Sequence, residues 1–224
     1  MNASKETRSK MVIAVDGPSG SGKSSISRES AKRLGFSFLD TGAMYRALTI
    51  YFLRQTDSQR SVTNFSPVDV NLSISIDPER EIVEINNIDV TKEIRSEEVT
   101  KNVSHFAANP EIRNFLVLKQ REIVLSNKNG IVVEGRDIGS VVIPDADLKL
   151  FITASEEKRA ARRALQMNSN VEDVLNQQKI RDKLDSERTI SPLTIPKDAV
   201  ILDNSDLDFE QSVKKFIDLV VNHD

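Results

Sequence analysis

The feature that constrains this chain most is the stretch Asp16-Gly17-Pro18-Ser19-Gly20-Ser21-Gly22-Lys23-Ser24, where Gly17, Gly22, Lys23 and Ser24 fill every fixed position of the pattern G-x-x-x-x-G-K-[ST]. Its flanks agree with the pattern. Met11–Val15 is an apolar run suited to a buried strand, and Ser25–Leu34 reads as a helix that stops at Gly35. Glycines let the backbone curl until its N–H groups point inward as an anion-binding nest. The following helix directs the positive end of its dipole at the same point. Lys23 then reaches the outer phosphates of a nucleotide, and the Ser24 hydroxyl is placed to ligate Mg²⁺. The bland alternative is a flexible Gly/Ser turn between a strand and a helix; the complete match in its strand-to-helix setting weighs against it. The stretch reads as a nucleotide-phosphate site.

A loop of this kind needs a sheet behind it. Five short apolar runs punctuate the chain: Met11–Val15, Phe36–Leu39, Ile131–Val133, Leu148–Ile152 and Val200–Leu202. Longer helix-like segments separate them, which predicts an α/β fold, a parallel five-stranded sheet with helices on both faces. Ligands of such sheets sit beyond the carboxyl ends of the strands. Three of the runs end there in an acid, Asp16, Asp40 and Glu134.

Composition narrows the partners. With 31 Lys and Arg against 34 Asp and Glu, the net charge is only −3, so neither nucleic acid nor a membrane surface is expected as a general partner. There is no cysteine, which fits a reducing compartment, and the two histidines, His105 and His223, are too far apart in sequence to suggest a metal site. No run approaches the roughly 20 apolar residues of a membrane helix. Residues 1–10 are polar and read as a flexible tail without a signal core, so a cytoplasmic location is expected.

After Asp40, a helix is expected from Thr41, as N-cap, to about Gln55, with Arg46 in its early turns. A polar linker is expected over Thr56–Asp69. Leu72–Asp77 alternates apolar and polar residues, Pro78-Glu79-Arg80 turns, Ile82–Ile85 follows, and Asn86-Asn87 supplies a second turn. This predicts a small antiparallel sheet inserted into the α/β alternation. Helices are expected over Ser96–Ala108 and Pro110–Ser126, the latter with proline in its first turn. Farther on, helices over Ser155–Met167 and from Val171 to about Arg188 are rich in arginine. Arg159 and Arg163 share one face of the first, and Arg181, Asp185 and Arg188 share a face of the second. A solvated surface carries such residues too, but arginine suits bidentate phosphate binding, and the segment lies where a mobile flap could reach the phosphates. The chain closes with a helix over Asp208–Asn222.

Taken together, D-G-P-S-G-S-G-K-S at Asp16–Ser24, L-D-T-G-A-M-Y-R-A at Leu39–Ala47, E-G-R-D-I-G-S-V-V-I-P-D-A at Glu134–Ala146, R-D-x-x-D-S-x-R at Arg181–Arg188 and S-P-L at Ser191–Leu193 closely resemble the bacterial cytidylate kinase family. The match runs in order from Met11 to Asn204. The resemblance implies transfer of the ATP γ-phosphoryl group to CMP or dCMP, with Mg²⁺, by a monomer. It implies a P-loop core of residues 11–55 and 127–224 with a helical lid at about 155–190, and a monophosphate-binding insertion over 56–126. Gly17, Pro18, Ser19, Gly20, Ser21, Gly22, Lys23, Ser24 and Ser25 would hold ATP, with Ser24 also serving Mg²⁺. Thr41 and Arg46 would hold the CMP phosphate, with Arg188 meeting it from the other side and Arg136 near the acceptor. Ser104, Arg113 and Asp137 would read the cytosine edge, and Arg181 and Asp185 the sugar. Lys23, Arg159, Arg163 and Arg188 would act on the transferred group. Two departures stand out: Glu134 where the family usually has Asp, and Asn204 where it usually has Thr or Ser.

Two other readings remain at this stage. One is a kinase for a different monophosphate or a small hydroxyl substrate, for which Asp137 or Asp40 could serve as base. The other is a non-catalytic P-loop switch, which needs no second pocket.

Overall fold

Side-chain alternation along the strands divides the core between two faces of one sheet. The structure is a computed structural model that describes residues 10–55 and 69–223, without the side chain of Gln166. The expected tail up to residue 9 and the expected linker up to residue 68 lie outside the described residues. Five parallel strands form the main sheet: β1 (Val12–Asp16), β2 (Ser37–Asp40), β6 (Ile131–Glu134), β7 (Leu148–Thr153) and β8 (Val200–Asp203), in the order β2-β6-β1-β7-β8. Each lies within a residue or so of its expected run. Ile13, Val15, Phe38 and Val132 turn to one face and bury against Ile26 of α1 (Lys23–Leu34) and Phe216 of α7 (Phe209–Val221). Ala14, Leu39 and Val133 turn to the other, against Met44 and Leu48 of α2 (Thr41–Leu53) and Leu116 of α4 (Pro110–Ser126). A sheet buried on both faces explains why these strands read as continuous apolar runs.

Register aligns the acids. Glu134 sits level with Val15 of β1 on one side and Asp40 of β2 on the other. Asp16, Asp40 and Glu134 therefore reach the same carboxyl edge.

The inserted sheet has three antiparallel strands, β3 (Leu72–Ile74), β4 (Val83–Ile85) and β5 (Ile88–Asp89). Asn86 and Asn87 form the tight turn with φ of 50° and 63°, left-handed values that asparagine tolerates better than most residues. β5 has only two residues, too short for a sequence pattern. The expected first strand stops at Ile74, and Ile76 then accepts a hydrogen bond from the Phe38 N–H at 2.8 Å. The insertion thereby satisfies the edge of the main sheet, while Leu72, Val83 and Ile85 join the core under α2.

Helix ends follow the expected chemistry with one correction. Asp40, not Thr41, caps α2: its carboxylate accepts from Ala43 N at 2.9 Å. Strand and helix meet without a spacer, so the last strand residue holds the extended conformation a cap needs, and Thr41 is already helical. Ser96 caps α3 (Glu97–Ala107), Ser155 caps α5 (Glu156–Met167) and Asn170 caps α6 (Val171–Ser186). The last of these helices ends two residues before Arg188. A π-helical turn over Ile138–Val142 also had no sequence signal.

Candidate active site

The glycine loop lies between β1 and α1 at the carboxyl edge of the sheet. Gly17 has φ 152°, and a Cβ there would stand 2.0 Å from the carbonyl oxygen of Ile152 on the neighbouring strand. Gly22 takes φ 82° at the N-cap of α1, a left-handed conformation that turns the chain into the helix. Lys23 and Ser24 open that helix and both meet Glu134. Lys23 Nζ lies 3.1 Å from Oε1, and the Ser24 hydroxyl donates to Oε2 at 3.0 Å. The Glu134 side chain thus holds both residues at the start of the helix. Burial, reinforced by the nearby Arg136 charge, outweighs the Glu134 carboxylate and lowers the Lys23 ammonium to about 8. Asp40 is pushed up to about 6 by burial and by Glu134 beside it.

A cleft of about 780 Å³ runs from this loop across the sheet edge to α3 and α4. Among the expected residues it is lined by Ser19, Gly20, Gly22, Lys23, Ser24, Ser25, Thr41, Arg46, Ser104, Arg113, Arg136, Asp137, Arg163, Arg181, Asp185 and Arg188. Gly17, Pro18, Ser21 and Arg159 are not among its lining residues.

At the far end Arg113 and Asp137 form a buried ion pair, and Arg113 also donates to the Ala107 carbonyl at 3.3 Å. Ser104 lies on the same wall, on α3. This end therefore offers a carboxylate acceptor, a guanidinium donor and a hydroxyl together.

Between the two ends stand arginines. Arg46 donates to the Ile94 carbonyl at 2.9 Å and to the Thr100 hydroxyl at 3.0 Å, neutral partners that orient its charge without cancelling it. Arg136 donates to the Gly17 carbonyl and pairs with Asp185 at 3.1 Å. Arg181 Nε and Arg188 Nη2 are buried nitrogens with no acceptor among the described residues. Burial first, then Arg136 and Arg46, pull the Arg181 guanidinium below its ordinary range; burial does the same to Arg188 and Arg46. A guanidinium stays protonated nonetheless, so the pull reflects a crowded positive field that an anion would relieve. Thr41 turns its hydroxyl to the Glu134 carbonyl at 2.8 Å, fixing the start of α2 against β6.

The two arginines expected on one lid face part company. Arg163 reaches the cleft, whereas Arg159 is buried behind the loop, donating to the Ser19 carbonyl at 2.8 Å and pairing with Asp182. Asp182 in turn accepts from Ser19 N at 3.2 Å. Asp182, a fixed position of the R-D-x-x-D-S-x-R motif, carried no expected role, and Arg162 was not singled out from the sequence. Arg162 donates to the Asn204 side-chain oxygen at 3.0 Å and to its carbonyl at 2.7 Å, while Asn204 donates to the Ser21 carbonyl at 2.8 Å. Helical spacing flagged Arg159 and Arg163; only the packing of α5 against α6 brings Asp182 to Arg159, and only the loop after β8 gives Arg162 its partners.

A parallel sheet in this strand order, with a glycine loop feeding a helix at its carboxyl edge and a lysine at the loop's end, defines the P-loop class of nucleotide-binding α/β proteins. The profile described as Cytidylate kinase matches residues 13–222, and the chain belongs to that family. It is 44% identical over 213 residues to a cytidylate kinase of Caldanaerobacter subterraneus subsp. tengcongensis, covering 93% of each chain. It is 46% identical over 212 residues to one of Nocardia farcinica, covering 91% of this chain and 90% of that one. It is also 43% identical to a bifunctional pantoate ligase/cytidylate kinase of Prochlorococcus marinus, of whose length the match spans 42%. Among solved structures, an uncharacterized protein from Eubacterium ventriosum shares the fold, with a TM-score of 0.56 at 13% identity and 95% and 99% of the two chains covered.

Proposed function

We propose that the protein transfers the γ-phosphoryl group of ATP to CMP or dCMP, giving ADP and the cytidine diphosphate. The observation that carries this reading is the single cleft of about 780 Å³ that joins the glycine loop to the Arg113–Asp137 pair. A phosphate-gripping end, a base-reading end and a run of arginines between them are what two nucleotides meeting phosphate to phosphate require.

The chemistry asks little of the protein beyond charge and placement. A monophosphate is largely dianionic near neutral pH, its second pKa being about 6, so its oxygen is already a nucleophile and no base is needed. The two carboxylates that could serve a hydroxyl acceptor are engaged elsewhere, Asp40 on Ala43 N and Asp137 on Arg113. That favours a phosphate acceptor. In this reading Arg46, Arg136 and Arg188 grip the acceptor phosphate, Arg181 and Asp185 the sugar, and Ser104, Arg113 and Asp137 the cytosine. Lys23 and Arg163 stabilise charge on the transferred group, and Arg159 acts by holding Ser19 of the loop. The helical pair over 155–190 serves as a lid whose closure excludes water, and 56–126 as the monophosphate-binding insertion.

Mg²⁺ fits this site as an ion carried chiefly by the nucleotide. Among the described residues no group of three acidic or histidine side chains could cage a metal, whereas the Ser24 hydroxyl stands at the phosphate end with Glu134 behind it. Magnesium often takes one or two protein ligands and leaves the rest to phosphates and water. When bound, it would neutralise charge between the phosphates. The same reading takes the protein as a monomer, and both substrates suit a cytoplasmic enzyme. Among the described residues no helix is long and apolar enough to cross a membrane.

The test is ADP formation with ATP alone, with each nucleoside monophosphate, and with a panel of sugars. CMP and dCMP should give the highest kcat/KM, and an equal or better sugar acceptor would overturn the proposal.

A further inference from the structure

Asp16 ends β1 one residue before the glycine loop, fully buried, and none of the steps above uses it. Its two oxygens accept different backbone N–H groups of the π-helical turn: Oδ1 takes Ile138 N at 2.7 Å and Oδ2 takes Gly139 N at 2.8 Å. Those amides directly follow Asp137. Arg136, directly before it, donates to the carbonyl of Gly17, directly after Asp16. The segment that presents Arg136 and Asp137 is therefore pinned from both sides to the two residues that lead into the phosphate loop.

The turn needs such a pin. Gly135 is packed so tightly that a Cβ would lie 2.7 Å from both the Ile138 side chain and the Thr41 hydroxyl, so the chain leaves β6 through a close passage. Beyond it, Asp137 takes φ −143° and ψ 27°, outside the helical and strand regions. A short aliphatic residue at position 16 would suffice to fill the core. A carboxylate has the two acceptor atoms needed to receive both amides at once.

We infer that Asp16 is a positioning residue for acceptor-base selection: its carboxylate holds the 135–139 turn so that Asp137 stands in register with the phosphate loop. The inference rests on the reading of Asp137 as a base-reading group, and its consequence is specific. Asp16→Asn keeps the volume but offers one acceptor, turning an N–H₂ toward the other amide. With one of the two bonds gone, Ile138 or Gly139 should exchange its amide hydrogen about tenfold or more faster, while strands β1 and β6 keep their protection. The KM for CMP should rise about tenfold and the CMP-over-UMP preference should fall, while the KM for ATP stays within about twofold. A merely structural role would lower both substrates' use alike and leave the preference intact.

The experiment combines hydrogen exchange at single-residue resolution with steady-state kinetics on the parent and Asp16→Asn. Faster exchange confined to the turn, with the shift in preference, supports the inference. Unchanged exchange at Ile138 and Gly139, or an unchanged CMP-to-UMP ratio in a folded variant, overturns it. If the parent does not phosphorylate CMP, the functional reading fails by itself, and the exchange comparison still decides whether Asp16 pins the turn. Should Asp16→Asn fail to fold, the parent decides: Ile138 and Gly139 must be protected to the level of the neighbouring strands, and rapid exchange there refutes the pin.

Discussion

Replacing Asp137 by Asn tests the proposed base-reading end most directly. Asp137 and Arg113 are 4% and 3% exposed, so the substitution removes one partner of a buried pair and leaves the other charged. Such a loss costs on the order of 3–5 kcal/mol. Here the low end applies, because Asn still offers Arg113 a carbonyl oxygen and Arg113 keeps the Ala107 carbonyl. About 3 kcal/mol in a chain of this length lowers the Tm by ~6–12 °C, so the variant should stay folded at assay temperature. The kinetic effect is separate. Cytosine presents an amino group to a carboxylate and ring acceptors to Arg113 and Ser104, whereas uracil presents an oxygen and an N–H in the wrong places. Two mispairings at ~1–3 kcal/mol each give a CMP-over-UMP preference of ~10²–10³ in the parent. An amide can donate to the uracil oxygen, so Asp137→Asn should bring the two kcat/KM values to within about tenfold. Melting curves together with kcat/KM for both nucleotides form the assay. A folded variant with the parental ratio would refute the role of Asp137.

Lys23→Ala should cut phosphoryl transfer ~10²–10³-fold, the value of ~3–4 kcal/mol of lost charge stabilisation, in a protein that still melts cooperatively; near-normal turnover would remove Lys23 from the mechanism. Because the Lys23 ammonium is lowered to about 8, ATP affinity should weaken as pH rises through about 8, and calorimetry showing a flat profile to pH 10 would contradict the burial argument. Hydrogen exchange over 155–190 should slow with a bisubstrate analogue, most around Arg163, since Arg159 is already anchored on Ser19; equal exchange with and without the analogue would leave only a static helical surface. Burial raises Asp16 from 3.8 to about 7, so the native state keeps that proton longer than the unfolded chain. Relative to Asp16→Asn, which does not titrate, the parent's stability advantage should be fully present below pH 4 and shrink as pH rises to about 7; an advantage that grows over that window would reverse the sign.

What the sequence determined by itself is local. The pattern from Gly17 to Ser24 specifies a loop conformation through its glycines, and apolar runs mark strands because a doubly covered sheet leaves them no polar face. Helix ends at Ser96, Ser155, Asn170 and Asp208 were legible because capping is a matter of neighbouring residues. The motifs around Leu39 and Glu134 pointed to the family, and with it to the arginines that line the cleft. Tertiary structure decided the pairings between distant residues. Strand order brings Glu134 between Asp40 and Val15, and only then can its longer side chain reach both Lys23 and Ser24. Arg159 and Arg163 are equivalent by helical spacing, yet the docking of α5 against α6 and the glycine loop buries one on Ser19 and leaves the other in the cleft. Asp16 reads in sequence as one more acid at a strand end. Its role comes from two amides more than a hundred residues away, and a contact across that separation leaves no periodic or local trace in the chain.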